Sequence, residues 1–155
     1  MTGNIGQQLE REGFYVSTTV GLSMWPMLKN RRDRVVLRPL EEGERLKRGD
    51  VPLYRHPSGK YILHRILRVE ADGTYIIRGD NTYALERVPK EWIVGVLKEF
   101  YRKGKHVSVE SRGYRLYATL WRLIFPVRYL LFWARRILGK IKRMIFGSKN
   151  NKNNP

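Results

Sequence analysis

The chain of 155 residues has no cysteine. That absence excludes disulfides, thiolate metal sites and a cysteine nucleophile, and leaves the redox compartment open. Histidine is scarce: His56, His64 and His106 are scattered without metal-ligand spacing, so neither a metal nor another cofactor is expected, and a zinc hydrolase is disfavoured. The first twenty residues carry Glu10, Arg11 and Glu12 and no apolar run. Neither a signal peptide nor a membrane span is expected there, and the protein is expected to be cytoplasmic. No internal repeat occurs. Acidic residues vanish altogether from Ser111 to Pro155, a segment with eleven Lys and Arg. It therefore carries +11 of the net +17, leaving +6 for the first 110 residues.

What is present is a normal apolar content, 42%, enough for one domain with a core and an appendage. Asn4 to Glu12 predicts a short helix with Ile5 and Leu9 on one face. Phe14 to Val20, Arg34 to Leu37 and Val51 to Tyr54 predict strands from their β-branched and aromatic residues. Lys60 to Val69 and Thr74 to Arg78 predict a hairpin turned by Asp72-Gly73. Trp92 to Tyr101 and His106 to Glu110 predict two more strands. This density of short strands predicts a mainly β fold, a small antiparallel barrel or folded sheet, over residues 1–110.

After Gly113 the period changes. Leu116, Leu120, Ile124, Val127, Leu131, Ala134, Leu138, Ile141 and Ile145 recur every three or four residues, with Arg115, Arg122, Arg136, Lys140 and Arg143 largely opposite. A basic amphipathic helical extension is predicted over 111–147, kinked or divided at Pro126, followed by a frayed tail over 148–155. No stretch approaches the roughly 20 apolar residues of a membrane span. With Trp121, Phe125, Tyr129, Phe132 and Trp133 among arginines, residues 114–146 are expected to lie on an anionic membrane surface. An apolar stripe equally suits packing against the chain's own domain or a protein partner. Nucleic acid is not expected, because nothing resembles a base-reading element.

Three short settings carry chemistry: Gly21-Leu22-Ser23-Met24-Trp25-Pro26-Met27-Leu28, Leu63-His64-Arg65-Ile66, and Arg78-Gly79-Asp80-Asn81. A serine hydroxyl needs a base that is neutral at working pH, and His64 suits that role. Asp80 is placed to receive the other ring N–H, although Gly-Asp-Asn-Thr is also a natural turn. The Ser23 backbone N–H suits an oxyanion donor.

Together these motifs resemble the type I signal peptidase family, in the branch with histidine rather than lysine as base. The family belongs to a serine peptidase superfamily that includes the LexA-type self-cleaving repressors. The resemblance covers Val16 to Leu97 and implies a signal-peptidase-like β fold with Ser23 as nucleophile, His64 as general base and Asp80 as supporting acid. Some members use a further acid six residues beyond that aspartate; here it is Glu86, which by itself reads as a solvated surface acid. The implied function is a serine endopeptidase that removes a leader or signal-like segment from a precursor peptide or protein, after small residues. The family's usual N-terminal anchor is absent from this sequence, and a peripheral position on the inner face of the cytoplasmic membrane is expected instead. The alternatives are a noncatalytic peptide-binding or membrane adaptor on a degenerate peptidase fold, and a LexA-type regulator. Against the regulator, only 22 residues precede Ser23 and no Ala-Gly or Cys-Gly cleavage dipeptide occurs.

Overall fold

A computed structural model describes the backbone of residues 5–146 and the side chains of residues 5–140. The tail predicted over 148–155, and the side chains of Ile141, Arg143 and Ile145 in the predicted stripe, lie outside what is described. Amphipathic spacing gives helix α1 (Ile5–Glu12), which buries Leu9. Six strands build sheet A: β1 (Tyr15–Thr18), β2 (Arg34–Arg38), β3 (Pro52–Arg55), β4 (Tyr61–Leu63), β8 (Ile93–Arg102) and β9 (Lys105–Ser108). Three build sheet B: β5 (Arg65–Val69), β6 (Tyr75–Arg78) and β7 (Glu86–Val88). Every pairing is antiparallel, so the fold is mainly antiparallel β.

Sheet A runs in the order β1-β2-β8-β3-β4, with β9 on the far half of β8. The long strand β8 makes this possible by lending Ile93 to Val96 to β3 and Glu99 to Arg102 to β9 along one edge. β1 and β4 are left as the two ends of the main path, and the sheet curls into half a barrel.

One expected strand is two. Residues 60–69 break at His64, because Leu63 pairs with Leu53 in sheet A while Arg65 pairs with Arg78 in sheet B. The chain changes sheets at that residue. The β5–β6 hairpin turns where Asp72-Gly73 predicts, and Glu70 N–H donates to the Thr74 carbonyl at 2.9 Å. β7 had no signal in the sequence, being three residues with two charges.

The buried residues form two clusters. Leu9, Met24, Met27, Val35, Leu37 and Phe100 belong to one, and Tyr54, Ile66, Tyr75, Ile77, Val88 and Val96 to the other. Helix α2 (Arg112–Leu123) starts at Ser111, whose Oγ accepts the Tyr114 N–H at 3.3 Å as an N-cap. Tyr114 and Ala118, one turn apart, are buried in the first cluster.

The chain divides into two compact units, residues 1–119 and 120–155. The first therefore includes the opening of α2, past residue 110 where the composition changes. In the second, helix α3 (Phe125–Phe146) is separated from the end of α2 by Ile124 alone, with Pro126 in its first turn. Proline is tolerated there, since that N–H would lack an intrahelical acceptor anyway. No helix among the described residues is long and apolar enough to cross a membrane.

Candidate active site

Ser23 sits in a loop closed by its own polar groups. Thr19 Oγ1 donates to the carbonyls of Lys29 and Asp33, Lys29 N–H donates to the Asp33 carboxylate at 2.8 Å, and Gly21 N–H donates to Asn30 Oδ1 at 2.9 Å. Gly21 has φ +104, a backbone conformation that residues with a Cβ rarely adopt. Met24, Met27 and Leu28 anchor the loop in the core, while Leu22 and Trp25 stay exposed. Ser23 itself is half-buried, two residues before the cis Trp25-Pro26 bond.

The topology brings the other motifs to this loop. The registers Arg65↔Arg78 and Ile77↔Glu86 place the start of β5, the end of β6 and the start of β7 at one end of sheet B. His64 precedes the first, Gly79-Asp80-Asn81 follows the second, and Glu86 opens the third. Asn81 ties this end to the serine loop: its N–H donates to the Ser23 carbonyl at 2.7 Å and its side-chain amide to the Leu22 carbonyl at 3.3 Å.

Gly79 is the point of closest approach. A Cβ on it would lie 2.7 Å from the Ser23 carbonyl oxygen and 3.0 Å from both Ser23 Cβ and His64 Nε2. Ser23 Cβ and His64 Nε2 are therefore no more than twice 3.0 Å apart. Among the described residues no hydrogen bond joins the Ser23 hydroxyl to His64, and rotation about χ1 governs how near the hydroxyl comes. Gly79→Ala is expected to push the two apart and lower any turnover at this site by about 100-fold, the scale of an ångström of misplacement. Steady-state rates of the variant, beside its circular dichroism spectrum, check this.

The imidazole is oriented by its other nitrogen. His64 Nδ1 lies 2.9 Å from Glu86 Oε1 and 3.3 Å from the Tyr54 hydroxyl, which donates to Glu86 Oε2 at 2.6 Å. A carboxylate only accepts, so Nδ1 carries the proton and Nε2 keeps the lone pair. Burial depresses the His64 pKa below its ordinary 6.5, against the opposing pull of Glu86 and, more weakly, Asp80. Burial, and then the bond to Glu86, raise the Tyr54 pKa and keep it a neutral donor.

Asp80 has a different principal partner. Its two carboxylate oxygens accept from Arg65 Nε and Nη2, each at 2.8 Å, and the pair is almost wholly buried. Arg65 also donates from Nη1 to the Gly49 carbonyl and the Tyr114 hydroxyl, and its Nη2 lies 3.2 Å from Met27 Sδ. Burial opposes its charge, but Asp80 outweighs that and raises its pKa. One guanidinium thus joins the serine loop, the Gly49 turn before β3, the Asp80 turn after β6 and α2. The Asp80 charge still reaches His64, where it favours the imidazolium.

Ser23 and His64 line one groove of about 440 Å³, with Tyr15 and Ser17 of β1 along one side and Tyr61 and Leu63 of β4 along the other. Val35 and Leu37 of β2, Leu53 of β3 and Ile5 of α1 line it as well. Sequence reasoning missed Tyr54, Arg65 and Asn81 as members of the site, and gave Glu86 both as the family's further acid and, by itself, as a solvated surface acid. The motifs contain Arg65 and Asn81 but do not say what each touches; Tyr54 has no local signal. Among the described residues no three His, Asp or Glu side chains cluster as metal ligands. Comparison of the chain with protein-family models and with curated proteins finds no match.

Proposed function

We propose that the chain is a serine endopeptidase of the signal peptidase kind, which removes a leader or signal-like segment from a precursor. The reading rests above all on one observation: Ser23 Cβ and His64 Nε2 each lie 3.0 Å from where a Gly79 Cβ would sit, while His64 Nδ1 is held by Glu86. In this mechanism the Ser23 hydroxyl attacks the scissile carbonyl while His64 Nε2 takes its proton. Glu86 and the charge of Asp80 stabilise the imidazolium, and the Ser23 backbone N–H holds the oxyanion. The same proton passes to the leaving amine, leaving an acyl ester on Ser23. Water, deprotonated by His64, then releases the new carboxyl end and restores the serine.

The substrate lies extended between β1 and β4, its backbone pairing with the outer edge of one of these end strands and alternate side chains entering the groove. Small residues before the scissile bond follow from the family resemblance. The enzyme acts peripherally on the inner face of the cytoplasmic membrane.

Because burial lowers the His64 pKa, the base stays neutral below pH 6.5, and kcat/KM falls only as pH drops through that depressed value. The test is to incubate the full chain with a mixture of synthetic peptides and read the products by mass spectrometry across pH. Cleavage with an acid limb below 6.5 is the expected result. No cleavage from mildly acidic to mildly alkaline pH, with and without lipid vesicles, would overturn the peptidase; peptide binding without cleavage would then favour the adaptor.

A further inference from the structure

Helix α3 has an apolar side that is exposed among the described residues. Val127, Leu130, Leu131, Trp133 and Leu138 are each 52–64% exposed. At about 100° per residue, Val127, Leu130, Leu131, Ala134, Ile137 and Leu138 share an arc of about 120°. Arg128, Arg135, Arg136 and Lys140 occupy an opposing arc of about 140° that also holds the exposed aromatic rings of Tyr129 and Phe132, and Trp133 stands at the border between them. From these observations we infer that α3 is an in-plane anchor that docks on the surface of an anionic bilayer. The inference is independent of whether the groove cleaves peptides.

The charge pattern separates a bilayer from two other occupants, nucleic acid and a second copy. Nucleic acid would engage the basic arc and leave the leucines in water. A second copy would pair the leucines but bring two acid-free helices together, since no Asp or Glu occurs from Ser111 onward. An anionic bilayer satisfies both arcs at once: the leucines enter the acyl boundary while Arg and Lys extend their stems to the headgroups. Trp133 at the border suits the interface, where amphipathic rings concentrate. Since α3 is not apolar enough to span, it lies in the plane of the surface.

The experiment is co-sedimentation of the full chain with vesicles of phosphatidylcholine, alone and mixed with phosphatidylglycerol, at low and high salt. Binding is expected on the mixed vesicles, at least about tenfold weaker on phosphatidylcholine and weakened by salt. Arg135→Gln, Arg136→Gln and Lys140→Gln together are expected to lower partitioning about 100-fold. Leu130→Gln with Leu138→Gln is expected to lower it at least about tenfold. All five side chains are exposed, so the substitutions leave the fold intact by circular dichroism. Absence of vesicle binding overturns the inference. So does vesicle binding indifferent to the leucine substitutions while duplex DNA competes for it, or a dimer that those substitutions disperse in place of vesicle binding.

Discussion

Ser23→Ala is expected to keep its fold and lose peptide hydrolysis by about 10⁴-fold or more, the scale of removing a nucleophile from a serine–histidine unit. The fold is expected to survive because the loop is held by Thr19, Asn30, Asp33 and the buried Met24 and Met27, none of which needs the hydroxyl. Glu86→Gln is expected to cost about 10²- to 10⁴-fold, because an amide can present N–H to Nδ1 and favour the wrong tautomer. Its acid limb should move further below 6.5, since the Glu86 charge supports the imidazolium. In the Ser23→Ala background the same change should cost little more, because residues acting as one catalytic unit are not additive. Rates for the two single variants and the double variant test this directly. Equal losses for Glu86→Gln in both backgrounds would remove Glu86 from the reaction.

Asp80→Asn is expected to act on stability first, by about 3–5 kcal/mol, because it leaves the Arg65 charge buried without its carboxylate. The side chains of Arg65 and Asp80 are only 1% and 4% exposed, so solvent replaces little of the lost pairing. With total stability of small domains at about 5–15 kcal/mol, such a variant is close to unfolding at ordinary temperature. Glu86, 29% exposed, should lose far less when made neutral, within about 1 kcal/mol. Urea unfolding of both variants separates a structural acid from an orienting one. If Asp80→Asn melts like the wild type and loses only its rate, Asp80 is the partner that acts on His64.

Apart from β7 and the break at His64, the strands were readable because short β-branched and aromatic runs with Asp-Gly and Gly-Asp punctuation leave little choice of local conformation. The helical extension was readable from its period, and the division near Pro126 from the missing N–H. Val51 to Tyr54 and Trp92 to Tyr101 were recognisable as strands, but their neighbours were not. The β3–β8 pairing joins Pro52 to Val96 and Tyr54 to Ile93, residues about 40 positions apart, and no local preference encodes it.

What the sequence determined by itself was which elements form and which residue types carry chemistry: a serine in a glycine- and proline-flanked loop, a histidine in a β run, and acids after a hairpin. Only the tertiary structure decided which acid meets which partner. That choice depends on the break at His64, where the chain leaves one sheet for the other, and on the β6–β7 register opposing Ile77 to Glu86. Together they bring the Glu86 carboxylate to Nδ1, while the Asp80 carboxylate meets a guanidinium sealed in the core. A difference of six positions in the chain became a difference of role because burial and hydrogen-bond geometry act through space.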